Sequence, residues 1–475
     1  MKKLAKRFAV LCILLPVCMI CTSCSDKKEY DTITEQNQEV DQAQGQDQKV
    51  DKYQGQEQDK ITGEASKNNS DINSDNASGM ITNTTVTPLP EEVSESEGEI
   101  SIEFLQNFYD FTEQTSASVF RDNVSENQIY APLNWYLALS TLGELSEGEA
   151  REEIQEVLGI SDTNINMSEV NTAVSNLEKR RINLGRLNIN NSLWLNDKIN
   201  YQEELLTKLQ SQYRTEIYKG NLGDLEFQNK MTKWVSENTN YEFEPDYNKS
   251  INSADQYAFI SLNTLDFYNE WLIPFEEEET TKELFFLSDS SEITCDFMKM
   301  EKQAYPFMVG EDYISTICLL KENEAMLFIL PEEGLVVEDF LGEEGKLSGI
   351  LSDCLTNQFT LGKVKFSVPK FTYAGEINLK TTAEAMGIKR IFDSNTKAFS
   401  EFTDENVYIS DITQASKIAI NEKGCSASSY TEITAQGSGV GKDEAEINLN
   451  RPFIYVLYKD KIPFLVGIVR NPLAK

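Results

Sequence analysis

Small or apolar residues alternate with polar residues along one long segment near the C-terminal end of the chain. Within Ile420–Gly441, the odd-numbered positions from Cys425 to Ala435 are small or apolar, and the even-numbered positions from Ser426 to Gln436 are polar or amphipathic. A period of two is typical of a β-strand with one buried face. The alternation therefore predicts a segment that can form a strand, although its length and polarity also fit an exposed loop.

Two other segments carry aromatic and apolar residues at helical spacing, which predicts a helix with one buried face in each. The residues on these faces are Phe104, Phe108 and Phe111 in the first segment, and Phe227, Met231, Trp234 and Val235 in the second. Between the two segments, Ser146 and Glu149 have the spacing of a capping box. This spacing predicts a helix over Ala150–Leu158.

The chain begins with a segment that has the composition of a targeting signal. A basic start precedes the apolar run Phe8–Cys21, which is too short to span a bilayer. Thr22 and Ser23 then precede Cys24, and this arrangement resembles a bacterial lipoprotein processing site. The resemblance implies that residues 1–23 are a signal peptide, that Cys24 is lipidated, and that the protein lies on the extracellular face of the membrane or is secreted.

Residues 24–99 are rich in Gln, Asp, Asn, Ser and Glu and contain few apolar residues. Such a composition cannot bury enough surface to offset the entropy lost on ordering, so we predict a disordered polar tether. A spacer between membrane and domain and a disordered tail without a role both fit this composition. The folded domain is expected to span residues 100–475.

Charge and composition exclude several classes of function. The net charge of −35 argues against nucleic acid and anionic lipid as partners, so a membrane contact is expected only through the N-terminal lipid. The chain contains no histidine, which excludes Ser-His-Asp and Cys-His catalysis and most zinc sites. We therefore expect no enzymatic activity, no metal and no cofactor. The four cysteines after Cys24 are scattered and indicate no disulfide framework; they are Cys295, Cys318, Cys354 and Cys425.

A series of motifs resembles the serpin family in its order along the chain. Asn421–Gly424 is similar to the family's hinge motif, and Ile447–Leu457 is similar to its C-terminal signature. Further matches are Asn127–Asn134, Asn263–Phe267 with Trp271, Met326–Gly334, Val368–Phe371, Met386–Ile388 and Phe464–Pro472. The resemblance implies an α+β serpin fold, with about nine helices around three β-sheets and an exposed reactive loop.

The same resemblance implies a function and a set of site residues. Serpins are protease inhibitors in which a protease cuts the loop, stays acylated to it, and is carried along as the loop enters a sheet. The hinge residues implied here are Glu422, Gly424, Cys425, Ala427, Ser429 and Thr431. The region where the sheet opens would contain Asn134, Asn263, Trp271 and Gln414. The amides of Asn134, Asn263 and Gln414 would either bond one another in place of the family's serine, asparagine and histidine cluster, or bond the backbone.

The position of the reactive bond depends on how the loop is counted. Counting from Glu422 as the family does places the bond at Ser438–Gly439, which suits a serine protease with a small specificity pocket. A longer loop would place Lys442 there and suit a trypsin-like protease. We expect a monomer whose partner is the target protease, with a non-inhibitory serpin that acts as a surface binding or structural protein as the alternative.

Overall fold

The computed structural model describes residues 85–87, 100–121, 125–160, 167–178, 185–251, 257–356, 358–425 and 443–474. The chain divides into two compact units, Met1–Ser78 and Gly79–Lys475, and all described residues belong to the second. No helix in these ranges is long and apolar enough to cross a membrane.

Ten α-helices lie within the described residues, together with 3-10 turns at Glu277–Glu279 and Arg390–Phe392. The helices are α1 (Ile102–Arg121), α2 (Pro132–Leu145), α3 (Gly148–Val157), α4 (Met167–Glu178), α5 (Glu203–Gln212), α6 (Leu225–Asn238), α7 (Tyr247–Ser250), α8 (Val337–Leu341), α9 (Lys346–Leu355) and α10 (Leu379–Ala385).

Sixteen strands lie within the same ranges. They are β1 (Thr85–Thr87), β2 (Gln128–Tyr130), β3 (Arg186–Asn196), β4 (Thr215–Gly220), β5 (Phe259–Glu270), β6 (Thr281–Phe286), β7 (Glu292–Val309), β8 (Tyr313–Leu319), β9 (Glu324–Pro331), β10 (Thr360–Pro369), β11 (Phe371–Asn378), β12 (Thr413–Ile420), β13 (Gly424–Cys425), β14 (Glu444–Asn448), β15 (Phe453–Lys459) and β16 (Ile462–Val469).

The described strands form three sheets. The central sheet has the order β1-β4-β3-β5-β13, and β11 and β12 form a separate antiparallel pair. The third sheet has nine strands in the order β14-β10-β7-β8-β9-β15-β16-β2, with β6 paired to β7. The long strand β7 therefore connects β6, β10 and β8 within one sheet.

Both predicted helical faces are confirmed. Phe104, Phe108 and Phe111 of α1 are buried, and Phe108 meets Tyr136 of α2 edge to face with ring centroids 5.4 Å apart. The predicted face of α6 packs in a second, smaller core against Trp194 of β3. Each fully buried aromatic side chain contributes about 1.5–3 kcal/mol, so these faces fix both helices against their sheets.

The predicted capping box at Ser146 is wrong. The helix α3 begins at Gly148, and the residue before it makes no side-chain cap hydrogen bond. The Ser146 hydroxyl instead donates to the backbone O of Gly143 at 3.1 Å. Because α2 ends only one residue earlier, at Leu145, the hydroxyl serves the last turn of α2.

The segment before residue 100 contributes a short strand to the central sheet. In β1, Thr85 lies opposite Lys219 and Thr87 lies opposite Ile217 of β4. These residues fall within the predicted tether, whose other residues up to 99 lie outside the described ranges, as does the predicted signal peptide. The domain boundaries stay predictions.

The cysteines described with side chains are free. Burial raises the pKa of the Cys295 thiol to about 11 and that of Cys318 to about 12. Both thiols stay protonated at neutral pH, as expected for small core residues.

Candidate functional site

A tight turn carries the chain from β12 to β13. Asn421 and Gly424 exchange two backbone N–H···O hydrogen bonds of 3.0 and 3.2 Å. The Oδ1 atom of Asn421 also accepts a hydrogen bond from the N–H of Lys423 at 2.9 Å. Gly424 has φ +149°, and a Cβ atom there would lie 2.5 Å from the backbone O of Asn269 in β5. No side chain fits so close to a neighbouring strand, so the predicted hinge position 424 requires glycine.

The two residues of β13 extend the edge of β5. Gly424 lies opposite Glu270, and Cys425 lies opposite Asn269, in antiparallel register. In the described ranges the rest of this edge of β5 pairs with no strand, and no ladder joins β5 to β12. The first residues of the predicted hinge therefore pair with the C-terminal end of β5, beside an edge of β5 that is otherwise unpaired in the described ranges.

Trp271 fastens the turn to the end of β5. Its backbone N–H donates to the O of Lys423 at 3.0 Å, and its indole Nε1 donates to the O of Asn421 at 2.9 Å. The N–H of Phe275 donates to the O of Glu422 at 2.9 Å. Trp271 is only 1% exposed, so the same side chain packs in the core and holds the hinge.

Glu422 is the charged centre of the hinge. Its carboxylate accepts hydrogen bonds from Lys370 Nζ at 3.0 Å and from Thr280 Oγ1 at 2.9 Å. Burial alone would raise the pKa of Glu422, but hydrogen bonds from its own backbone N–H, Lys370 and Thr280 together lower it. Lys370 and Thr280 lie 52 and 142 residues away in the chain, so no local pattern reveals these contacts.

A second buried network supports the end of β5 where β13 pairs. The Nδ2 atom of Asn269 donates to the O of Lys321 at 2.6 Å and to Oε2 of Glu324 at 2.5 Å. Glu324 also faces Lys459, with 3.9 Å between Oε1 and Nζ. Lys321 forms an ion pair with Glu270. These buried charges are paired, as burial requires, and they fix the strand end against which the hinge lies.

The three amides of the predicted sheet-opening region do not bond one another. Gln414 uses both ends of its amide on Ala131, donating to its O at 3.0 Å and accepting from its N–H at 2.7 Å. Asn263 donates to Oδ1 of Asn191 in β3. Asn134 is buried, and its Oδ1 has no hydrogen-bond partner among the described residues. The glutamine thus bonds the backbone, which was the second of the two expectations.

An open groove of about 1080 Å³ lies beside the hinge. Leu272–Glu279 forms one wall, strands β7, β10 and β14 contribute others, and Glu422 and Lys423 line its hinge side. Glutamates outnumber lysines among the lining residues. The described residues contain no group of His, Cys, Asp or Glu side chains that could hold a metal ion.

Several predicted site residues lie outside the described ranges. They are the inner hinge positions Ala427, Ser429 and Thr431, the candidate reactive residues Ser438, Gly439 and Lys442, and the candidate lipidation site Cys24. Their roles stay predictions. Of Cys425, the structure describes the backbone pairing with Asn269.

A family model described as "Serpin (serine protease inhibitor)" matches residues 106–472. The chain belongs to the serpin family. This membership agrees with the expectation that the protein is not an enzyme, because the family is one of protease inhibitors.

Curated relatives of this serpin include protease inhibitors of rodents. The alpha-1-antiproteinase of Mus saxicola is 24% identical over 391 residues, which cover 79% of this chain and 90% of the relative. An alpha-1-antitrypsin-like protein of Tamias sibiricus is 25% identical over 369 residues, covering 74% and 84%.

Solved serpin structures confirm the predicted fold. The thermophilic serpin tengpin in its native state matches with a TM-score of 0.68 and 22% identity, covering 79% of this chain and 96% of that one. Human thyroxine-binding globulin matches with a TM-score of 0.66 and 19% identity, covering 78% and 99%. At these identities the likeness concerns the fold alone.

Proposed function

We propose that this serpin is a suicide-substrate inhibitor of serine endopeptidases, with cysteine endopeptidases as a second target class. The protease nucleophile attacks the carbonyl carbon of Ser438, and the peptide bond to the nitrogen of Gly439 breaks. Gly439 takes up a proton and leaves as a new N-terminus, while Ser438 stays bound to the protease as an ester or thioester. The loop then enters the sheet between β5 and β12 before water can hydrolyse this bond.

One observation carries the proposal: the hinge already lies on β5 as the first two residues of an added strand. Gly424 and Cys425 pair antiparallel with Glu270 and Asn269, and the rest of that strand edge has no partner in the described ranges. An unpaired edge is a template for a further strand. The alternation of small and polar residues after Cys425 is the pattern that such a strand needs.

The observed pairing also gives the register that insertion would follow. If the ladder that begins at Cys425 and Asn269 continues, Thr431 comes opposite Asn263 and Tyr430 opposite Thr264. Continuing the Asn421–Gly424 bridge in the same way brings Thr431 opposite Gln414. In both continued registers, which share Gly424, Thr431 would lie between two of the predicted sheet-opening residues.

The faces of β5 indicate which loop residues would be buried. Leu265 and Phe267 pack against the main core, whereas Ile260 and Leu262 pack against the core under α6. In the continued register the odd-numbered loop residues would face the main core. This supports the expectation that the small residues of the alternation point inward.

The first test is covalent complex formation with a panel of proteases, followed by denaturing gels. We expect a complex that resists denaturation with an elastase-like or subtilisin-like enzyme, and mass spectrometry should locate the cut between Ser438 and Gly439. A complex with a trypsin-like enzyme and a cut after Lys442 would instead assign the reactive bond to Lys442. A cut loop with no complex from any enzyme would favour the non-inhibitory alternative.

A thermal melt before and after loop cleavage tests insertion without a trapped protease. Each inserted residue exchanges backbone–water bonds for ladder bonds, at about 0.5–1.5 kcal/mol net per bond. A dozen such bonds should raise the melting temperature by more than roughly 10 °C, with both fragments still associated. An unchanged or lower melting temperature after a clean cut would mean that the loop stays out of the sheet.

The proposed site of action is the outer face of a bacterial membrane, reached through a lipid on Cys24. The support is the basic start, the short apolar run Phe8–Cys21 and the small residues before Cys24. Cys24→Ala should release the protein into the medium or leave it unprocessed, as fractionation and the mass of the mature chain would record. A variant that stays membrane-bound and is cut at the same site contradicts lipidation.

A further inference from the structure

Helix α6 belongs to one side of the opening between β5 and β12. Its buried face packs against Trp194 of β3 and against Ile260 and Leu262 of β5. The indole Nε1 of Trp234 also donates a hydrogen bond to Oε2 of Glu216 in β4 at 3.0 Å. These contacts attach α6 to the three strands β3, β4 and β5, on the face of the central sheet that we name the front face.

The turn that follows α6 adopts a costly backbone conformation. Asn240 and Tyr241 have φ +47° and +62°, although neither is glycine. The N–H of Tyr241 donates to the O of Ser236 at 2.7 Å, and the N–H of Glu242 donates to the O of Thr239 at 3.0 Å. Because Tyr241 is 68% exposed, side-chain burial does not explain why the chain turns here. Left-handed backbone persists where its surroundings hold it.

The turn places Glu242 against a residue on the other side of the opening. The Glu242 carboxylate forms an ion pair and hydrogen bond with Lys417 of β12. Lys417 in turn lies opposite Ala374 of β11, in the separate two-stranded sheet. The side chains of Lys417 and Glu242 are 37% and 45% exposed. The ion pair therefore joins β12 to the turn after α6, the helix that packs on the other side of the opening, at the front face.

We propose that Glu242 and Lys417 form a clasp across the front of the opening, and that this clasp limits how fast a strand can enter between β5 and β12. The inference rests on the proposed function, because loop insertion is the event that the clasp would delay. A strand seated between β5 and β12 sets them two strand spacings, about 9.6 Å, apart. The two charged atoms cannot stay in contact if either side of the opening shifts to reach that spacing, unless the turn after α6 moves as well.

The clasp is a surface ion pair, and this sets the size of its effect. Exposed pairs contribute modestly to stability and are screened by salt. We therefore expect a change in rate of about two- to threefold at low ionic strength, which disappears at high ionic strength.

The test measures how fast the uncut protein takes up a synthetic peptide with the sequence of residues 426–436. It compares the wild type with Glu242→Gln, Lys417→Gln, the double variant and the charge swap E242K/K417E, at about 0.02 M and about 0.5 M salt. Each single variant should take up the peptide about two- to threefold faster than the wild type at low salt. The double variant should be no faster than the single variants, because either change alone already removes the ion pair. The charge swap should restore the wild-type rate.

A matched control comes from α6 itself. Lys233 and Glu237 form an exposed ion pair within the helix, with 3.5 Å between Nζ and Oε1. Lys233→Gln removes a surface charge pair without touching β12, so it should leave the rate unchanged. An equal acceleration by this control would assign the effect to net charge and overturn the clasp.

Hydrogen exchange of the β12 amides separates a failure of the clasp from a failure of the proposed function. Removing the clasp should speed exchange in Thr413–Ile420 at low salt, whether or not a peptide binds. If no variant takes up peptide but the single variants exchange faster, loop insertion fails and the clasp holds. Unchanged exchange in both single variants at low salt would overturn the clasp.

Discussion

The hinge and the sheet-opening residues border the same gap between β5 and β12, yet different chemistry holds each of them. At the hinge, Glu422 is ionised and is held by Lys370 and Thr280, while Trp271 donates to the turn. At the sheet-opening residues, the neutral amide of Gln414 bonds the backbone of Ala131, that of Asn263 bonds Asn191, and the amide oxygen of Asn134 has no partner among the described residues.

The difference indicates that the proposed insertion of the loop between β5 and β12 would depend on two kinds of interaction. A charged, multiply bonded hinge responds to pH and to loss of a single partner, because charge-assisted hydrogen bonds are the stronger ones. The sheet-opening amides are neutral, and in a chain without histidine they have no neighbour that titrates near neutrality. Changes in pH should therefore act mainly through the hinge. Substitutions at the sheet-opening residues should act mainly through the size and shape of the side chain.

The largest expected effect lies between the two regions, at the loop residue that insertion would deliver to the sheet-opening residues. Thr431→Arg would place a charge on the face toward the main core, at a cost of several kcal/mol without a partner. About 1.4 kcal/mol in the insertion barrier already slows the step tenfold. The variant should be cut as a substrate and release active protease, as denaturing gels and residual protease activity would record.

Tyr430→Arg is the matched control for that change, because the adjacent residue would face the front of the sheet. Inhibition by this variant should stay close to that of the wild type. Equal losses in both variants would contradict the facing that the register of β13 implies.

A smaller effect is expected at the hinge. Glu422→Gln removes the charge that Lys370 and Thr280 bind, and we expect a loss of about 1–3 kcal/mol in the free energy of unfolding. Glu278→Gln changes an exposed neighbouring glutamate and should leave this free energy unchanged. Denaturant unfolding of the three proteins at neutral pH measures the difference, and equal stability of the wild type and Glu422→Gln would argue against the hinge network.

The same variant has a defined pH dependence. The folded-state pKa of Glu422 lies below its ordinary value of 4.5, so its contribution to stability is fully present above about pH 4.5. That contribution is lost as the pH falls through the folded-state pKa. The stability difference between wild type and Glu422→Gln should therefore shrink on acidification below pH 4.5, and a constant difference would contradict an ionised hinge glutamate.

The smallest effect concerns the sheet-opening residues. Gln414→His replaces a neutral amide by the side chain that titrates nearest to neutrality. Burial disfavours the charged imidazolium, so the stability of the variant should fall by about 1 kcal/mol as the pH drops below about 6.5. The wild type should show no such step between about pH 8 and pH 5.5, because its chain contains no histidine. A step of equal size in the wild type would mean that another group titrates at the gap.

Patterns within short segments predicted those features of this serpin that depend on neighbouring residues in the sequence. The helical faces of Phe104 and Trp234 follow from spacing alone, and the order of motifs leads to the fold. The contacts that build the site join distant segments: Gln414 meets Ala131 across 283 residues, and Glu422 meets Thr280 across 142. Ser146 shows that a local pattern can also mislead. Its spacing to Glu149 predicts a cap for α3, but its hydroxyl bonds the last turn of α2 instead.

The last strands of the chain occupy the interior of the largest sheet. β15 lies between β9 and β16, and β16 lies between β15 and β2, with every residue of β16 buried. During synthesis on the ribosome, β2 therefore has to wait for β16 before it gains its partner, and one edge of β9 stays unpaired until β15 is made. A chain cut short before Phe453 would lack the two strands that connect β9 to β2, so β2 would have no neighbour in the nine-stranded sheet.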